Sequence, residues 1–110
     1  MKLTVEMTES DVERGWVGCA MSCALALAIR RAAREAGMWP VSVDVGGTIC
    51  RLKHGKEYIA TMPDECPGFV DVFDTGEDVK PLDTFTLFFV PFEGKEDDYY
   101  PGEERDTRYS

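Results

Sequence analysis

The sequence predicts an α+β fold, in which a mainly antiparallel sheet of about five strands carries one long and one shorter helix packed on one face. Several short segments alternate apolar and polar residues, as half-buried strands do. Between them lies an alanine- and leucine-rich segment with helical periodicity, and a second apolar helical pattern follows a proline. A chain of 110 residues has room for a single domain.

The N-terminal segment predicts a strand followed by a short helix. Residues 2–7 alternate polar side chains with Leu3, Val5 and Met7, which is the period of a strand with one buried face. Thr8 or Ser10 can then cap a short helical turn that is acidic at its start and ends at Gly15.

The main helix is predicted over residues 18–36, with arginines near its C-terminal end and a glycine cap after it. At about 100° per residue, one stripe of this helix is apolar. That stripe contains Met21, Leu25, Ile29, Ala32 and Ala36. Cys19, Cys23 and Leu27 project to the opposite side, so we expect a second packing partner there: the segment before the helix, the second helix or another copy of the chain.

The middle of the chain predicts a three-stranded meander. Residues 41–45 alternate in polarity and precede a Gly-Gly pair, which favours a tight hairpin turn. The return strand is expected over residues 48–52, and a further strand over residues 57–62 follows a turn that contains His54. A turn histidine is typically solvated, and nothing near it in the sequence would orient it as a catalytic base.

The last third of the domain predicts a short helix and a very apolar strand. Pro63 and Asp64 open the helix and Gly76 ends it. Residues 83–92 contain four phenylalanines, too many for an exposed strand unless another element covers it. We therefore expect this strand to be central or at an interface. The apolar strand and the two-sided main helix together predict a homodimer.

The domain is predicted to span residues 1–92, and residues 93–110 are predicted to form an acidic, flexible tail. The tail has seven acidic and three basic residues and no aliphatic residue around which a core could form. Over the whole chain, 21 acidic residues face 12 basic ones, for a net charge of −9. This is the wrong sign for contact with nucleic-acid phosphates, so no direct nucleic-acid binding is expected.

No export signal or membrane span is predicted, because the N-terminal residues are polar and the longest apolar run is short of the roughly 20 residues that cross a bilayer. We therefore expect a cytoplasmic protein. Its four cysteines, Cys19, Cys23, Cys50 and Cys66, are then expected to be reduced core thiols. The alternative is a zinc site, to which the Cys19–Cys23 pair would contribute half of the ligands.

Two charged clusters have both a structural and a functional interpretation. Arg30, Arg31 and Arg34 complement the dipole at the end of the main helix, and they are also the candidate residues for binding a phosphate or another anion. Asp71, Asp74 and Asp78 recur at helical spacing, which is typical of a solvated helix face and also allows cation binding. The common nucleotide-binding, metalloprotease and hydrolase motifs do not occur, so no catalytic residue, cofactor or metal is predicted.

Two segments of the chain resemble a group of small proteins encoded by bacteriophages and their actinobacterial hosts. They are ESDVERGWVGCAMSCALALAIRRA and PGFVDVFDTGEDVKPLDTFTL. With the strand before the first segment, the similarity covers roughly residues 3–90. Its motifs consist of apolar and turn residues, so the resemblance implies a phage setting and a compact α+β fold but no catalytic residues.

Together these features predict a non-enzymatic interaction protein that binds a host protein with a basic surface in the host cytoplasm, for host takeover or inhibition of a defence system. The candidate interface residues are Trp16, Cys19, Cys23, Leu27 and Phe88. Two other classes stay open: a nucleotide-sequestering protein that uses the three arginines, and a zinc-stabilised structural domain.

Overall fold

A computed structural model describes residues 1–92 of the chain, so the predicted tail at residues 93–110 lies outside the described residues. Three helices and six strands follow one another in this region. In chain order they are β1 (Lys2–Val5), α1 (Glu9–Arg14), α2 (Ala24–Glu35), β2 (Ser42–Gly46), β3 (Ile49–His54), β4 (Lys56–Thr61), α3 (Glu65–Asp74), β5 (Phe85–Phe88) and β6 (Val90–Pro91). The α+β class is confirmed.

The strands form two antiparallel sheets that share one chain segment. β1 pairs with β5, and the four-stranded sheet has the order β2-β3-β4-β6. The predicted last strand is therefore divided: β5 pairs with β1, and β6 pairs with β4. Phe89 lies between the two halves and exchanges backbone hydrogen bonds with Met1, at 2.7 and 3.0 Å. The final segment thus joins the two sheets, whereas the sequence predicted a single strand that is central or at an interface.

The core lies on one side of the sheets, under α2. This helix packs against β1, β2 and α1, because its alanines allow close approach and its larger apolar side chains fill the space between them. Leu25 and Ile29 are fully buried there. The strands contribute their alternate residues, such as Val43, Val45 and Leu52, to the same cluster, and α3 adds Phe69 and Phe73.

The short helix α1 begins and ends where the sequence predicts. Thr8 is its N-cap, and Thr8 and Asp11 form a capping box in which each side chain accepts a hydrogen bond from the backbone N–H of the other. Gly15 is the C-cap. A Cβ atom added at Gly15 would lie 2.4 Å from the backbone nitrogen of Ala24, so only glycine fits this close approach of the chain to α2.

The main helix is shorter than predicted, since it begins at Ala24 and not at residue 18. Residues before it form a loop, in which Gly18 has a φ of +76° and the N–H of Trp16 donates to the carbonyl of Ser22. Met21 is consequently half exposed and does not belong to the buried helical stripe. Hydrogen bonds to distant parts of the fold therefore outweigh the preference of this segment for a helix.

Candidate functional site

The loop of residues 16–22 is bound to two other parts of the fold. The N–H of Gly18 donates to Oδ1 of Asp74 on α3, at 2.9 Å. The carbonyl of Ala20 accepts from the N–H of Val45 on β2, also at 2.9 Å. These two bonds hold the loop between α3 and the end of the β2–β3 hairpin, where a helical continuation of α2 could not satisfy both partners.

A cleft of about 310 Å³ opens between these three elements. We call it the acidic cleft. Its walls are formed by Gly18, Cys19, Ala20, Cys23, Val45, Gly47, Pro67, Val70, Asp71 and Asp74. Two of these residues are carboxylates and none is basic, so within the described part of the chain the cleft favours a cationic group.

The three predicted carboxylates of α3 are only partly brought together. Asp71 and Asp74 line the acidic cleft, and both are exposed. Asp78 lies beyond the end of α3 and lines a different depression, near α1 and Val79. The helical spacing therefore predicted the first two positions correctly, and the third leaves the helix because α3 ends at Asp74.

Cys19 is the thiol of the acidic cleft that is best placed for chemistry. It is partly exposed, and its pKa is lowered because the backbone N–H of Met21 and the side chain of Ser22 hydrogen-bond to its sulfur. Nearby Asp44 acts in the opposite direction, since its negative charge disfavours the thiolate. The lining of the cleft contains no histidine that could serve as a base for this thiol.

The other three cysteines are buried core thiols. Burial raises the pKa of Cys23, and it raises the pKa of Cys50 and of Cys66 to about 12. These raised pKa values favour the protonated thiol at neutral pH. Among residues 1–92, no group of three or more histidine, cysteine or acidic side chains has an arrangement that could hold a metal ion.

Large apolar side chains are exposed on the elements that form the cleft. Trp16, with 70% of its surface exposed, and Met21 belong to the loop, and Val72 is exposed on α3 beside Asp71. Val17 is also exposed, on the loop between Trp16 and Gly18. Aromatic and methionine side chains in such positions are typical anchors of protein interfaces. Sequence reasoning singled out Trp16 but placed Met21 in the buried stripe of the main helix and Val72 on the apolar side of the second helix.

The remaining predicted interface residues do not form one surface with Trp16. Cys23 lines the acidic cleft but is only 3% exposed, so it offers little surface to a partner, and its role at an interface stays a prediction. Other segments of the same chain bury the Cys23 side chain. Leu27 is partly buried on α2. Phe88 is exposed on β5, which belongs to the two-stranded sheet with β1.

The three arginines do not converge on an anion site. Arg31 forms a bidentate ion pair with Asp11, at 2.6 and 2.7 Å, and also donates to the carbonyl of Glu6. Arg34 lies over the ring of Trp39, 4.7 Å from its centroid. Two of the three guanidinium groups thus stabilise contacts within the chain, and Arg30 is partly buried beside them on α2.

His54 is partly buried at the end of β3, and Nδ1 lies 2.8 Å from the carbonyl oxygen of Pro40. This bond joins the β3–β4 turn to the segment before β2, so the histidine has a structural contact where the sequence indicated a solvated turn. Its location is away from the residues that line the acidic cleft.

Comparisons with protein-family models, with curated proteins and with solved structures found no match to this chain. The resemblance to phage and actinobacterial proteins therefore stays a prediction. None of the described helices is both long and apolar enough to traverse a lipid bilayer.

Proposed function

We propose that the protein is a non-enzymatic interaction protein that binds a partner protein through the acidic cleft and the apolar side chains beside it. The partner presents a basic side chain to the cleft and an apolar surface to Trp16. The resemblance described above suggests the setting, in which a phage protein binds a host protein to redirect or inhibit it in the host cytoplasm.

One observation carries this proposal: among residues 1–92, the cleft is lined by two carboxylates and no basic residue, and the elements that form it expose large apolar side chains. Asp71 and Asp74 line the cleft, and Trp16 and Met21 stand on the loop that forms its opposite wall. An apolar anchor supplies most of the affinity of a typical interface, and surrounding charges supply specificity and speed of association. The net charge of −9 adds long-range attraction toward a basic surface.

The chemistry of Cys19 supports binding better than catalysis. A cysteine nucleophile in an enzyme is usually activated by a base that is itself oriented by a third group. Here hydrogen bonds from Met21 and Ser22 lower the pKa of the thiol, but His54 bonds to the Pro40 carbonyl, and the cleft lining offers no other imidazole.

The two alternative classes have less support. A nucleotide-binding role needs arginines that are free to meet phosphates, whereas Arg31 is paired with Asp11 and Arg34 is stacked on Trp39. A zinc-stabilised domain needs thiolates in a tetrahedral arrangement, whereas the described region has no such group.

The test is affinity capture from an actinobacterial lysate, with the full-length protein compared with Trp16→Ser and Asp71→Asn. Both side chains are exposed, so the substitutions leave the core intact. We expect a captured protein whose affinity falls about tenfold or more in each variant, and whose binding weakens with added salt. Trp39→Ser is the matched control, because Trp39 is also largely exposed, at 61%, but follows the C-terminal end of α2, whereas the cleft loop precedes its N-terminal end.

The proposal fails if Trp16→Ser and Asp71→Asn capture the same proteins as the wild type, if Trp39→Ser weakens binding to the same extent, or if no protein is captured. The acidic C-terminal residues are tested separately in the full chain by neutralising Glu96, Asp97 and Asp98 to their amides. If binding at low salt is unchanged by this triple substitution, the C-terminal residues do not contribute to the attraction.

A further inference from the structure

One face of the joined sheets has no helix on it within residues 1–92. The core cluster, α2 and α3 lie on the other side, to which Val43, Val45 and Leu52 point. Directly paired residues of antiparallel strands point to the same side of a sheet. Asp44, Arg51, Ile59 and Val90 are paired in a row across β2, β3, β4 and β6, so they share the face opposite the core. We call this the outer sheet face.

The outer sheet face has an apolar patch. Ile59 is only 6% exposed and does not belong to the core cluster on the other side, so side chains of this face already cover it, and the exposed part of the patch lies beside it. Its strand neighbour Val90 is 55% exposed. Phe88, two residues earlier along the chain, is 67% exposed and paired with Lys2. Exposed large side chains next to each other on a sheet are typical of surfaces that bind another protein.

The charges of this face identify the kind of protein that fits it. Three basic residues and two acidic ones occupy its paired strand positions: Lys2, Arg51, Lys53, Asp44 and Glu57. Asp44 is directly opposite Arg51, and Lys53 is directly opposite Glu57. The face is therefore close to neutral, although the chain as a whole has a net charge of −9.

A second copy of the chain carries the same net charge, so two copies repel each other over most of their surfaces. The repulsion is smallest where each copy presents balanced charges, and there the apolar side chains can drive association. A strongly basic partner, in contrast, is attracted to the acidic cleft. We propose that the outer sheet face, centred on Phe88 and Val90, is the surface through which two copies of this protein form a symmetric dimer.

Such a dimer is isologous, with the same patch of each copy in contact with its counterpart. Phe88 and Val90 of both copies are then buried together, and opposite charges on the two faces can pair across the two-fold axis. This inference does not depend on the proposed function, because the acidic cleft is lined by the loop, α3 and the hairpin residues Val45 and Gly47, none of which belongs to the outer sheet face.

The test is sedimentation equilibrium of the full chain over a range of concentrations, with Phe88→Glu compared with Val72→Glu. Both side chains are exposed in the protomer, and circular dichroism will verify that both variants are folded. We expect a wild-type dimer that dissociates at least about tenfold more readily in Phe88→Glu and is unchanged in Val72→Glu. Because the face is nearly neutral, we also expect the dimer to depend little on salt.

A wild-type chain that stays monomeric overturns the proposal. In that case another protein or the chain's own residues 93–110 would be the occupant of this face. A dimer that Phe88→Glu leaves intact, or that Val72→Glu disrupts instead, also overturns it, because another surface then forms the contact. Neither outcome changes the expected capture by the acidic cleft, so the two proposals fail independently.

Discussion

Asp11 offers the sharpest test of how this fold is stabilised, because it links α1 to α2 by a nearly buried charge. Only 4% of the residue is exposed. Its two oxygens accept hydrogen bonds from the guanidinium of Arg31, and Oδ2 also accepts from the N–H of Thr8. The variant Asp11→Asn keeps the size of the side chain but removes the charge and turns an amide toward the guanidinium.

The expected cost follows from these contacts. Hydrogen bonds to charged groups contribute about 1.5–3 kcal/mol each when their partners are buried. Arg31 retains 37% of its side-chain exposure, so water replaces part of what it loses. We therefore expect Asp11→Asn to lower the free energy of unfolding by about 2 kcal/mol, which in a domain of this size lowers the Tm by roughly 10 °C.

The contribution of Asp11 also depends on pH with a defined sign. Burial alone would raise the pKa of Asp11, but the hydrogen bonds and charge of Arg31, together with the Thr8 N–H, outweigh it and hold the pKa below its usual 3.8. The unfolded state thus binds the proton more readily. The stabilisation is complete above the unfolded pKa and disappears as the pH falls through the lower pKa of the folded state.

The assay is urea denaturation of the wild type and Asp11→Asn at pH 7 and at a series of values below pH 4. Glu13→Gln is the matched control, because Glu13 is an exposed carboxylate on the same helix. We expect the difference between wild type and Asp11→Asn to shrink in acid, with little change for the control. Equal effects of the two substitutions at pH 7, or a difference that does not vary in acid, would refute this account of the ion pair.

Two further outcomes follow from the loop before α2. Gly15→Ala is expected to lower the free energy of unfolding by about 3 kcal/mol, since its Cβ would clash with the backbone of Ala24. Gly47→Ala is the control, because a Cβ there meets open space, and it is expected to change the free energy of unfolding by less than about 0.5 kcal/mol. Equal urea midpoints of the two variants would contradict the close approach at Gly15. Iodoacetamide at pH 8 is expected to modify Cys19 first and the buried thiols only after unfolding, as followed by mass spectrometry. Rapid native modification of two or more thiols, or its persistence in Cys19→Ser, would contradict the burial described above.

Elements specified by neighbouring residues were predictable from the sequence. The capping pattern at Thr8 and the stop at Gly15 delimit α1, and the Gly46-Gly47 pair marks the end of β2 and the start of the hairpin turn to β3. Both depend on contacts within a few residues, where backbone preferences and alternating polarity act directly. For the same reason the end of α3 before Gly76 was predicted, since that glycine has a φ of +83°.

The start of α2 was not predictable in this way. Its composition favours a helix from residue 18 onward, but Gly18 donates to Asp74 and Ala20 accepts from Val45. These partners are distant in the sequence, so no local sequence pattern predicts the two hydrogen bonds. The same contacts expose Met21 and create the acidic cleft, and the site could therefore be predicted only through some of its residues, such as Trp16 and Asp71.

The sequence by itself determined the α+β class, the acidic charge and the positions of most helices and strands, because periodicity and turn residues act over short distances. The tertiary structure decided which charges are used internally, as when Arg31 pairs with Asp11, and which apolar residues are left exposed, as at Phe88. It also divided the last strand between two sheets. These outcomes depend on contacts between segments that are distant in the sequence. The free energy of those contacts depends on the packing of the whole chain.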